Sequence, residues 1–358
     1  MKNIEYSEDG KTLIRARNVE GHFVVPDYVT EIGWGAFEGC TGLTSIEIPD
    51  SVTKIGHGAF GTCIGLTSIE IPNSVTEIGS WAFFNCRGLT SIEIPDSVTE
   101  IGDFAFCGCT EIKYPTFNKH YFVYMPKDFE GIFSIPDGIE VILRDAFAGC
   151  TRLTSVKIPR SMTEIGLSAF AQFRSLTNIE IPCSIKIIGS NAFYDCTRLT
   201  HIELPDSVTE IGSSAFEGCT GLTSIELPNT INKIGNDAFK RCTGLKKIKI
   251  PNSLTKIEHN TFDGCTGLTS IEIPNSVTEI GSHAFDGCTG LTRIEIPNSV
   301  TEIGIESFSW CTNLTHIEIP KSVEKIGEQA FSWCRKLRYV NLPNSITEIR
   351  EGTFFNSI

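Results

Sequence analysis

The chain has 358 residues, of which 41% are hydrophobic and 20% are charged, and its net charge is −13 at pH 7. This acidity argues against sequence-independent binding to nucleic acid, which needs a dominant basic surface. No apolar run approaches the roughly 18 residues that indicate a membrane span. The first residues also lack the basic segment and apolar stretch of a secretory signal peptide. We therefore expect neither a nucleic acid partner nor a membrane span.

The first predicted element is a β-hairpin. Residues 7–12 read SEDGKT, and the Asp-Gly pair is typical of a tight hairpin turn. We expect residues 3–17 to fold over the open first coil of the repeats that follow. Residues 1–22 are accordingly predicted to form an N-terminal cap.

A motif with a period of 23 residues fills most of the remaining chain. Its leading leucines are Leu43, Leu66 and Leu89, and then Leu153 through Leu337 in steps of 23. Such a period with an L-x-x-L-x-L core is typical of leucine-rich solenoids. In the copy at residues 88–109, Leu89, Ile92 and Ile94 are expected to point inward from a short strand. That strand would stack on its neighbours at about 4.8 Å.

The second half of each copy predicts the return path of the coil. Pro95 ends the strand because it lacks an N–H, and Gly102 is expected to permit a tight bend. Phe106 then packs from the convex side. The equivalent phenylalanine recurs fourteen times, at positions 37, 60, 83, 106, 147, 170, 193, 216, 239, 262, 285, 308, 331 and 354. One coil cannot bury these groups alone, so neighbouring coils must cover them.

We therefore predict an α/β solenoid in which residues 1–358 form a single leucine-rich repeat domain. It would be a right-handed superhelix of 23-residue coils with short parallel strands on the concave face. Residues 111–135 interrupt it, because Ile112 and Leu153 stand 41 residues apart. The segment at 129–150 matches the one at 19–40, which makes both the same irregular unit. At the other end, Phe354 and Phe355 are expected to be exposed or to contact another chain.

The motif L-x-x-I-x-I-P-x-S-V-T-E-I-G-x-x-A-F-x-G-C closely resembles the BspA-like class of leucine-rich repeats. The resemblance implies a bacterial or protozoan surface or secreted protein that acts as an adhesin toward host matrix proteins or other cells. It implies no catalytic residues and no cofactor. We accordingly expect a non-enzyme without catalytic, cofactor-binding or metal residues.

A column of glutamates follows the predicted strands. Its members are Glu47, Glu70, Glu93, Glu180, Glu203, Glu226, Glu272, Glu295 and Glu318, with Lys157 and Lys249 at the same position in two coils. A spacing of about 5 Å is also found between the carboxylates of retaining glycosidases. At that distance in water, however, two charges repel by only about 0.8 kcal/mol. A solvated face available for contacts is thus favoured over catalysis or weak cation binding.

The cysteines form a second column, from Cys40 to Cys334, in which Phe173 substitutes once. Stacked coils hold their side chains parallel and too far apart for the geometry of a disulfide. We expect buried free thiols that fill space. Cys107 and Cys109 are too few for a zinc site. The sequence GHGAFG at 56–61 fits a dinucleotide-binding pattern, but it is a repeat turn without a βαβ unit around it.

Departures from the repeat are the best candidates for a binding site. Lys233, Lys240, Arg241, Lys246, Lys247, Lys249 and Lys256 form a basic island that contains a single acid, Asp237. They either relieve repulsion beside Glu226 and Glu272 or bind an anionic partner. The insert gathers seven aromatic residues, among them Tyr114, Tyr121 and Tyr124, for which packing is favoured over an interface. The candidate contact residues are Lys240, Arg241, Lys246, Lys247, Lys249, Tyr114, Tyr121, Tyr124, Glu203 and Glu226.

These observations lead to three functional hypotheses. The first is an adhesin-like binding scaffold at a cell surface, which engages a protein or glycan ligand such as a host matrix protein. The second is a structural protein that forms a homo-oligomer through its C-terminal coil. The third and least favoured is a carbohydrate-active enzyme that uses paired glutamates.

Overall fold

A computed structural model describes residues 3–346 and 349–357, which fall into two compact units. Unit 1 comprises the residues up to Phe129 together with Pro136–Cys150. Unit 2 comprises Glu130–Ile135 and the residues from Thr151 onward. Each unit is a stack of coils of about 23 residues, as the repeat predicts. The continuity of one domain across both units stays a prediction.

The first part of the chain forms twelve strands. They are β1 (Asn3–Tyr6), β2 (Thr12–Arg17), β3 (Gly21–Val24), β4 (Glu31–Ile32), β5 (Leu43–Glu47), β6 (Lys54–Ile55), β7 (Glu77–Ile78), β8 (Glu100–Ile101), β9 (Thr116–Phe117), β10 (Tyr121–Tyr124), β11 (Gly131–Ser134) and β12 (Val141–Ile142).

The repeats after the insert form the other strands. They are β13 (Leu153–Lys157), β14 (Glu164–Ile165), β15 (Asn178–Glu180), β16 (Ile187–Ile188), β17 (His201–Glu203), β18 (Glu210–Ile211), β19 (Ser224–Glu226), β20 (Lys233–Ile234), β21 (Lys247–Lys249), β22 (Lys256–Ile257), β23 (Ser270–Glu272), β24 (Glu279–Ile280), β25 (Arg293–Glu295), β26 (Glu302–Ile303), β27 (His316–Glu318), β28 (Lys325–Ile326) and β29 (Tyr339–Asn341).

Unit 1 is built around a six-stranded sheet in the order β1-β2-β4-β6-β7-β8. The predicted hairpin is present, because β1 and β2 pair antiparallel and β2 continues in parallel onto β4. The pair β3-β5 and the sheet β12-β10-β9 complete this unit. The segments 66–71 and 89–94 are not strands, although Leu89, Ile92 and Ile94 point inward as predicted.

Unit 2 contains two kinds of parallel ladder. The sheets β11-β13-β15-β17-β19-β21-β23 and β25-β27-β29 run along what we call the strand face. The two-residue strands form the sheets β14-β16-β18-β20 and β22-β24-β26-β28. Paired residues of neighbouring repeat strands are 23 positions apart, for example Ile202 and Ile225. Equivalent side chains therefore stack in columns.

The described residues contain no helix, so the α part of the predicted α/β class is not found. The return path, which we call the turn face, is a series of turns instead. Every coil with a repeat phenylalanine has two residues there with positive φ, four positions apart, such as Trp81 and Asn85 or Asp237 and Arg241. Left-handed residues interrupt a right-handed helix. The N–H groups of both residues and of the residue midway between them bond to the next coil, as when Phe37 donates to the Ala59 carbonyl at 2.7 Å.

The glycine that follows most of the two-residue strands has a different role from the predicted one. Gly102 does not have a positive φ, so the bend itself does not require glycine. A Cβ at Gly102 would lie 2.3 Å from the Ser80 nitrogen, and one at Gly79 would lie 2.5 Å from the His57 nitrogen. Glycine is needed because the backbone of the preceding coil passes so close.

The core lies between the strand face and the turn face and consists of residue columns. Neighbouring repeat phenylalanines stack with ring centroids 5.1 to 5.7 Å apart and planes within 12°. Phe122 of the insert stacks on Phe147 at 4.9 Å. All cysteines are free, and those of the column are buried, as predicted. Their thiols do more than fill space. Cys63 donates to the Phe37 carbonyl at 3.1 Å, and most later members repeat this bond.

The insert repeats the N-terminal irregularity, as the matched sequences predict. In unit 1, β9 and β10 pair antiparallel, and β10 continues onto β12. In unit 2, β11 pairs with β13 with a register shift after Gly131, and β3 pairs with β5 in unit 1 with the same shift after Gly21. Asn118 anchors the insert, because its buried amide donates to the Val98 carbonyl at 3.0 Å.

Candidate binding surface on the strand face

Each regular coil exposes three side chains on the strand face, at the positions of Thr44, Ser45 and Glu47. The threonine position is structural, because its hydroxyl bonds to the backbone of the preceding coil. Thr67 donates to the Thr44 carbonyl at 3.4 Å, and Thr223 donates to the Thr200 carbonyl at 3.2 Å. The serine and glutamate positions remain available to a partner.

The glutamate column is present and exposed. Glu203 pairs in register with Glu180 on one side and Glu226 on the other. The exposed fraction of the Glu203 side chain is 88%, and that of Glu295 is 80%. Such exposed carboxylates form no enclosed pocket. The one group of three potential metal ligands in the described part of the chain lies elsewhere, on the turn face.

The serine position carries most of the variation. Among the described strands of unit 2 it is occupied by Asn178, His201, Lys247, Arg293, His316 and Tyr339 in place of serine. The His201 and His316 rings each lie 3.3 Å from the glutamate two residues later, and Arg293 pairs with Glu295.

Two of these varied side chains stack on each other. The His316 ring lies on Tyr339 with centroids 4.5 Å apart. They line a groove of about 980 Å³ with Arg293, Glu295 and Asn341. None of these five residues is among the candidate contact residues predicted from the sequence. The sequence does contain an indication of this set, because Arg293, His316 and Tyr339 occupy the repeat position at which the residue type varies most.

The structure divides the basic island among three parts of the coil. Four members are paired with acids: Lys233 with Glu210, Lys240 with Asp237 and Asp263, Arg241 with Glu217, and Lys256 with Glu258 and Glu279. Lys240 and Arg241 lie on the turn face. Lys233 and Lys256 lie on the two-residue strands β20 and β22. Lys246, Lys247 and Lys249 are exposed on and beside β21.

In that coil lysine occupies all three exposed positions of the strand face. Across residues 3–346 and 349–357, no carboxylate forms an ion pair with Lys246, Lys247 or Lys249. In register, Lys247 faces Ser270, and Lys249 faces Glu272. We call these residues the β21 lysine cluster.

The three candidate tyrosines of the insert have different environments. Tyr114 is 72% exposed and can reach a partner. Tyr121 is half-buried, and its hydroxyl donates to the Thr99 carbonyl at 2.7 Å. Tyr124 is only 7% exposed, and burial raises the pKa of its hydroxyl. Tyr124 therefore packs inside unit 1 and does not present its ring to a partner.

Burial also controls the ionisation of groups outside the strand face. It raises the pKa of Cys150, Cys265 and Cys334 to about 12, so these thiols are protonated at neutral pH. On the turn face, burial raises the pKa of Asp286 to about 6. The neighbouring carboxylates of Asp263 and Glu306 add to that shift, and His283 opposes it.

A family model of known proteins matches most of the chain. The family model described as the BspA type leucine rich repeat region, with six copies, matches residues 20–131, 120–246 and 232–358. The chain therefore belongs to the BspA-type leucine-rich repeat family, as its motif indicated. Leucine-rich repeat proteins are generally protein-binding scaffolds and typically non-enzymatic. Among curated proteins, no sequence matches the chain.

Solved structures agree with this assignment. A leucine-rich repeat protein from Bacteroides ovatus is 33% identical with a TM-score of 0.65, and the match covers 99% of this chain and 96% of that one. A leucine rich cell surface protein from Faecalibacterium prausnitzii is 31% identical with a TM-score of 0.56, over 91% and 92% of the two chains. A third, from Eubacterium ventriosum, shares the fold at 20% identity and a TM-score of 0.53, over 96% and 92%.

No segment in the described ranges is a helix of the length and apolarity needed to cross a membrane.

Proposed function

We propose that the chain is a non-enzymatic, adhesin-like scaffold that binds an acidic protein partner at the β21 lysine cluster. One observation carries this proposal: Lys246, Lys247 and Lys249 are exposed together without an ion pair, whereas the other four basic residues of the island are neutralised. A local positive surface on a chain of net charge −13 attracts acidic segments selectively. The partner class is a protein, such as a host matrix protein, with clustered carboxylates.

The glutamates on either side of the β21 lysine cluster would provide specificity. Lys249 lies between Glu226 and Glu272 in the glutamate column, so a partner must match a positive centre with negative edges. Like charges brought together at such edges reject incorrect partners. The cell surface is the proposed location, and the relative from Faecalibacterium prausnitzii, described as a cell surface protein, supports it.

The test is a binding screen against immobilised matrix proteins and a sulfated glycan, with two variants beside the wild type. In the first, Lys246, Lys247 and Lys249 are changed to Gln. In the matched control, the exposed residues Lys157, Lys186 and Lys321 are changed to Gln, which removes the same charge without touching the cluster. We expect affinity for an acidic protein to fall at least about tenfold in the first variant and less than about twofold in the control.

Equal affinities for the cluster variant and the wild type would overturn the site. Binding to the sulfated glycan alone would overturn the partner class, because the ligand would then be an acidic polysaccharide. Circular dichroism of both variants would show whether their fold is intact.

A second candidate function is self-association, and an aromatic surface in unit 2 favours it. Trp310 and Trp333 stack at 4.6 Å, and Phe355 lies edge-on to Trp333 with 57% of its surface exposed. Exposed aromatic clusters are typical of interfaces. Light scattering over a range of concentrations tests this function. A rise in mass that Phe355→Ser abolishes would support it, and a constant monomer mass would contradict it.

A further inference from the structure

The turn face of unit 2 brings a histidine and two carboxylates together across two consecutive coils. His283 and Asp286 lie in one turn, and Glu306 occupies the position of His283 in the next coil. The His283 Nδ1 atom lies 3.7 Å from Asp286 Oδ2 and 3.8 Å from Glu306 Oε2. One potential ligand atom from each residue lies within 4.8 Å of the other two. No other group of three such residues meets this condition in the described parts of the chain.

The backbone holds the residues that carry these side chains in fixed positions. His283 and Glu306 both have left-handed backbones, with φ of 56° and 51°. Inter-coil bonds hold both residues, because the His283 N–H donates to the Ile305 carbonyl at 2.8 Å and the Glu306 N–H donates to the Glu328 carbonyl at 2.9 Å. The three side chains therefore converge from a rigid ladder of turns and not from a loop.

The distances suit an ion better than a direct contact. Both separations exceed the range of a hydrogen bond, so the imidazole is close to the carboxylates without bonding to them. Two ligands that are each about 2.1 Å from a tetrahedral ion lie about 3.4 Å apart. Shifts of a few tenths of an ångström would bring His283 Nδ1 to that distance from each carboxylate. The two carboxylate oxygens already lie within 4.8 Å of each other, so they would approach by at most about 1.4 Å.

A second observation is an oxygen atom of the same Asp286 carboxylate that has no hydrogen-bond partner. Asp286 Oδ1 is buried and accepts no hydrogen bond from any described residue. An unsatisfied buried acceptor is costly and needs an explanation. The other carboxylate nearby, Asp263, is paired with Lys240 at 3.0 Å.

An equivalent position two coils earlier shows how the fold neutralises such a cluster. Lys240 stands at the repeat position of Asp286, and its ammonium bridges Asp237 at 3.3 Å and Asp263 at 3.0 Å. At Asp286 the carboxylates converge again, but neither lysine nor arginine pairs with them among the described residues. The missing positive charge is what a bound cation would supply.

We propose that His283, Asp286 and Glu306 bind one divalent first-row transition metal ion, of which Zn²⁺ is the best fit. An imidazole with two carboxylates is a ligand set that suits such ions, whereas calcium requires six to eight oxygens. The three side chains are between 23% and 37% exposed, so a fourth position opens to water or to a ligand atom from a partner.

The test is titration of the metal-stripped full chain with Zn²⁺ by calorimetry and with Co²⁺ by visible absorption. Three variants remove one ligand each: His283→Asn, Asp286→Asn and Glu306→Gln. Asparagine is chosen at position 283 because it tolerates a left-handed backbone. His316→Asn is the matched control, because that imidazole has a single carboxylate neighbour, Glu318.

We expect one equivalent of metal in the wild type and in the control, and at least a tenfold loss of affinity in each ligand variant. The Co²⁺ spectrum should lack a thiolate charge-transfer band, which would instead assign the metal to the exposed thiol of Cys183. Wild-type binding weaker than about 1 mM overturns the site. Unchanged affinity in His283→Asn, or a thiolate band, overturns it as well.

Discussion

Left-handed residues on the turn face determine the path of every coil. Glycine occupies several of these positions at no steric cost, but Trp81, Phe104 and Gln329 also adopt them. A side chain in this conformation costs roughly 1 to 2 kcal/mol, except that asparagine and aspartate tolerate it better. The inter-coil hydrogen bonds of the turn face offset that cost.

Gly58 allows this cost to be measured. Its φ is 60°, and a Cβ there would meet no atom within 4 Å. Gly58→Ala should therefore lower the free energy of unfolding by about 1 kcal/mol through backbone conformation alone, and Gly58→Asn should lower it less. Urea denaturation of the three proteins measures the difference. Equal losses for alanine and asparagine would contradict the conformational explanation.

Gly79 tests the other role of glycine. Its Cβ would lie 2.5 Å from the His57 nitrogen, and backbone atoms cannot move aside cheaply. Gly79→Ala is expected to lower the free energy of unfolding by at least about 2 kcal/mol, which is more than Gly58→Ala. The same denaturation experiment compares them, and a smaller loss at Gly79 would show that the coils can separate.

Thiol reactivity is a further test at the residue scale. Only the thiolate reacts with disulfide reagents, and burial raises the pKa of Cys150, Cys265 and Cys334 to about 12. At pH 8 these three thiols should stay protonated and unreactive, and burial should shield the other column cysteines from the reagent. Exposed Cys183 should react at once and half-buried Cys107 slowly. Fast reaction of more than two thiols before denaturant is added would show that the coils open.

At the scale of the element, the phenylalanine stack connects each coil to the next. Phe216 is fully buried and stacks on Phe193 at 5.3 Å and on Phe239 at 5.4 Å. Because a solenoid contacts only its nearest neighbours, each missing ring weakens two interfaces. Stability is therefore distributed along the stack and not concentrated in one centre.

Phe216→Ala is expected to lower the free energy of unfolding by about 3 to 5 kcal/mol, because it leaves a cavity between two coils. Phe355→Ala is the matched control, since that ring is 57% exposed and should cost less than about 1 kcal/mol. Guanidinium denaturation measures both. Similar losses at the two positions would show that the stack does not carry the stability of unit 2.

At the scale of the whole molecule, charge is the dominant property. A net charge of −13 repels acidic partners at long range, whereas the β21 lysine cluster attracts them at contact. Both effects are screened over about 8 to 10 Å near physiological salt. The balance between them sets how binding depends on ionic strength.

If the proposed partner binds the lysine cluster, its affinity should fall as NaCl rises from about 50 to about 300 mM, because contact attraction is screened. Changing Lys246, Lys247 and Lys249 to Gln should flatten that dependence, whereas the change at Lys157, Lys186 and Lys321 should preserve it. Surface plasmon resonance at several salt concentrations measures both slopes. Affinity that rises with salt in the wild type would indicate an apolar interface instead.

The sequence by itself determined the coil. A 23-residue period specifies which residues are buried, because each copy must place Leu, Ile, Phe and Cys where its neighbours place theirs. The hairpin at residues 3–17, the repeated irregular unit and the free thiols followed from the same local patterns. The prediction of a helical component was wrong. Left-handed backbones at residues such as Trp81 and Phe104 exclude a helix there, and residue propensity does not predict them.

Only the tertiary structure decided which charged residues are available. Seven basic residues between 233 and 256 look equivalent in the chain, but stacking places Glu210, Glu217 and Asp263 beside some of them and leaves the β21 lysine cluster unpaired. The same stacking brings Glu306 to His283 across 23 residues. Pairing between coils depends on side-chain reach and direction in three dimensions, which a one-dimensional repeat does not contain.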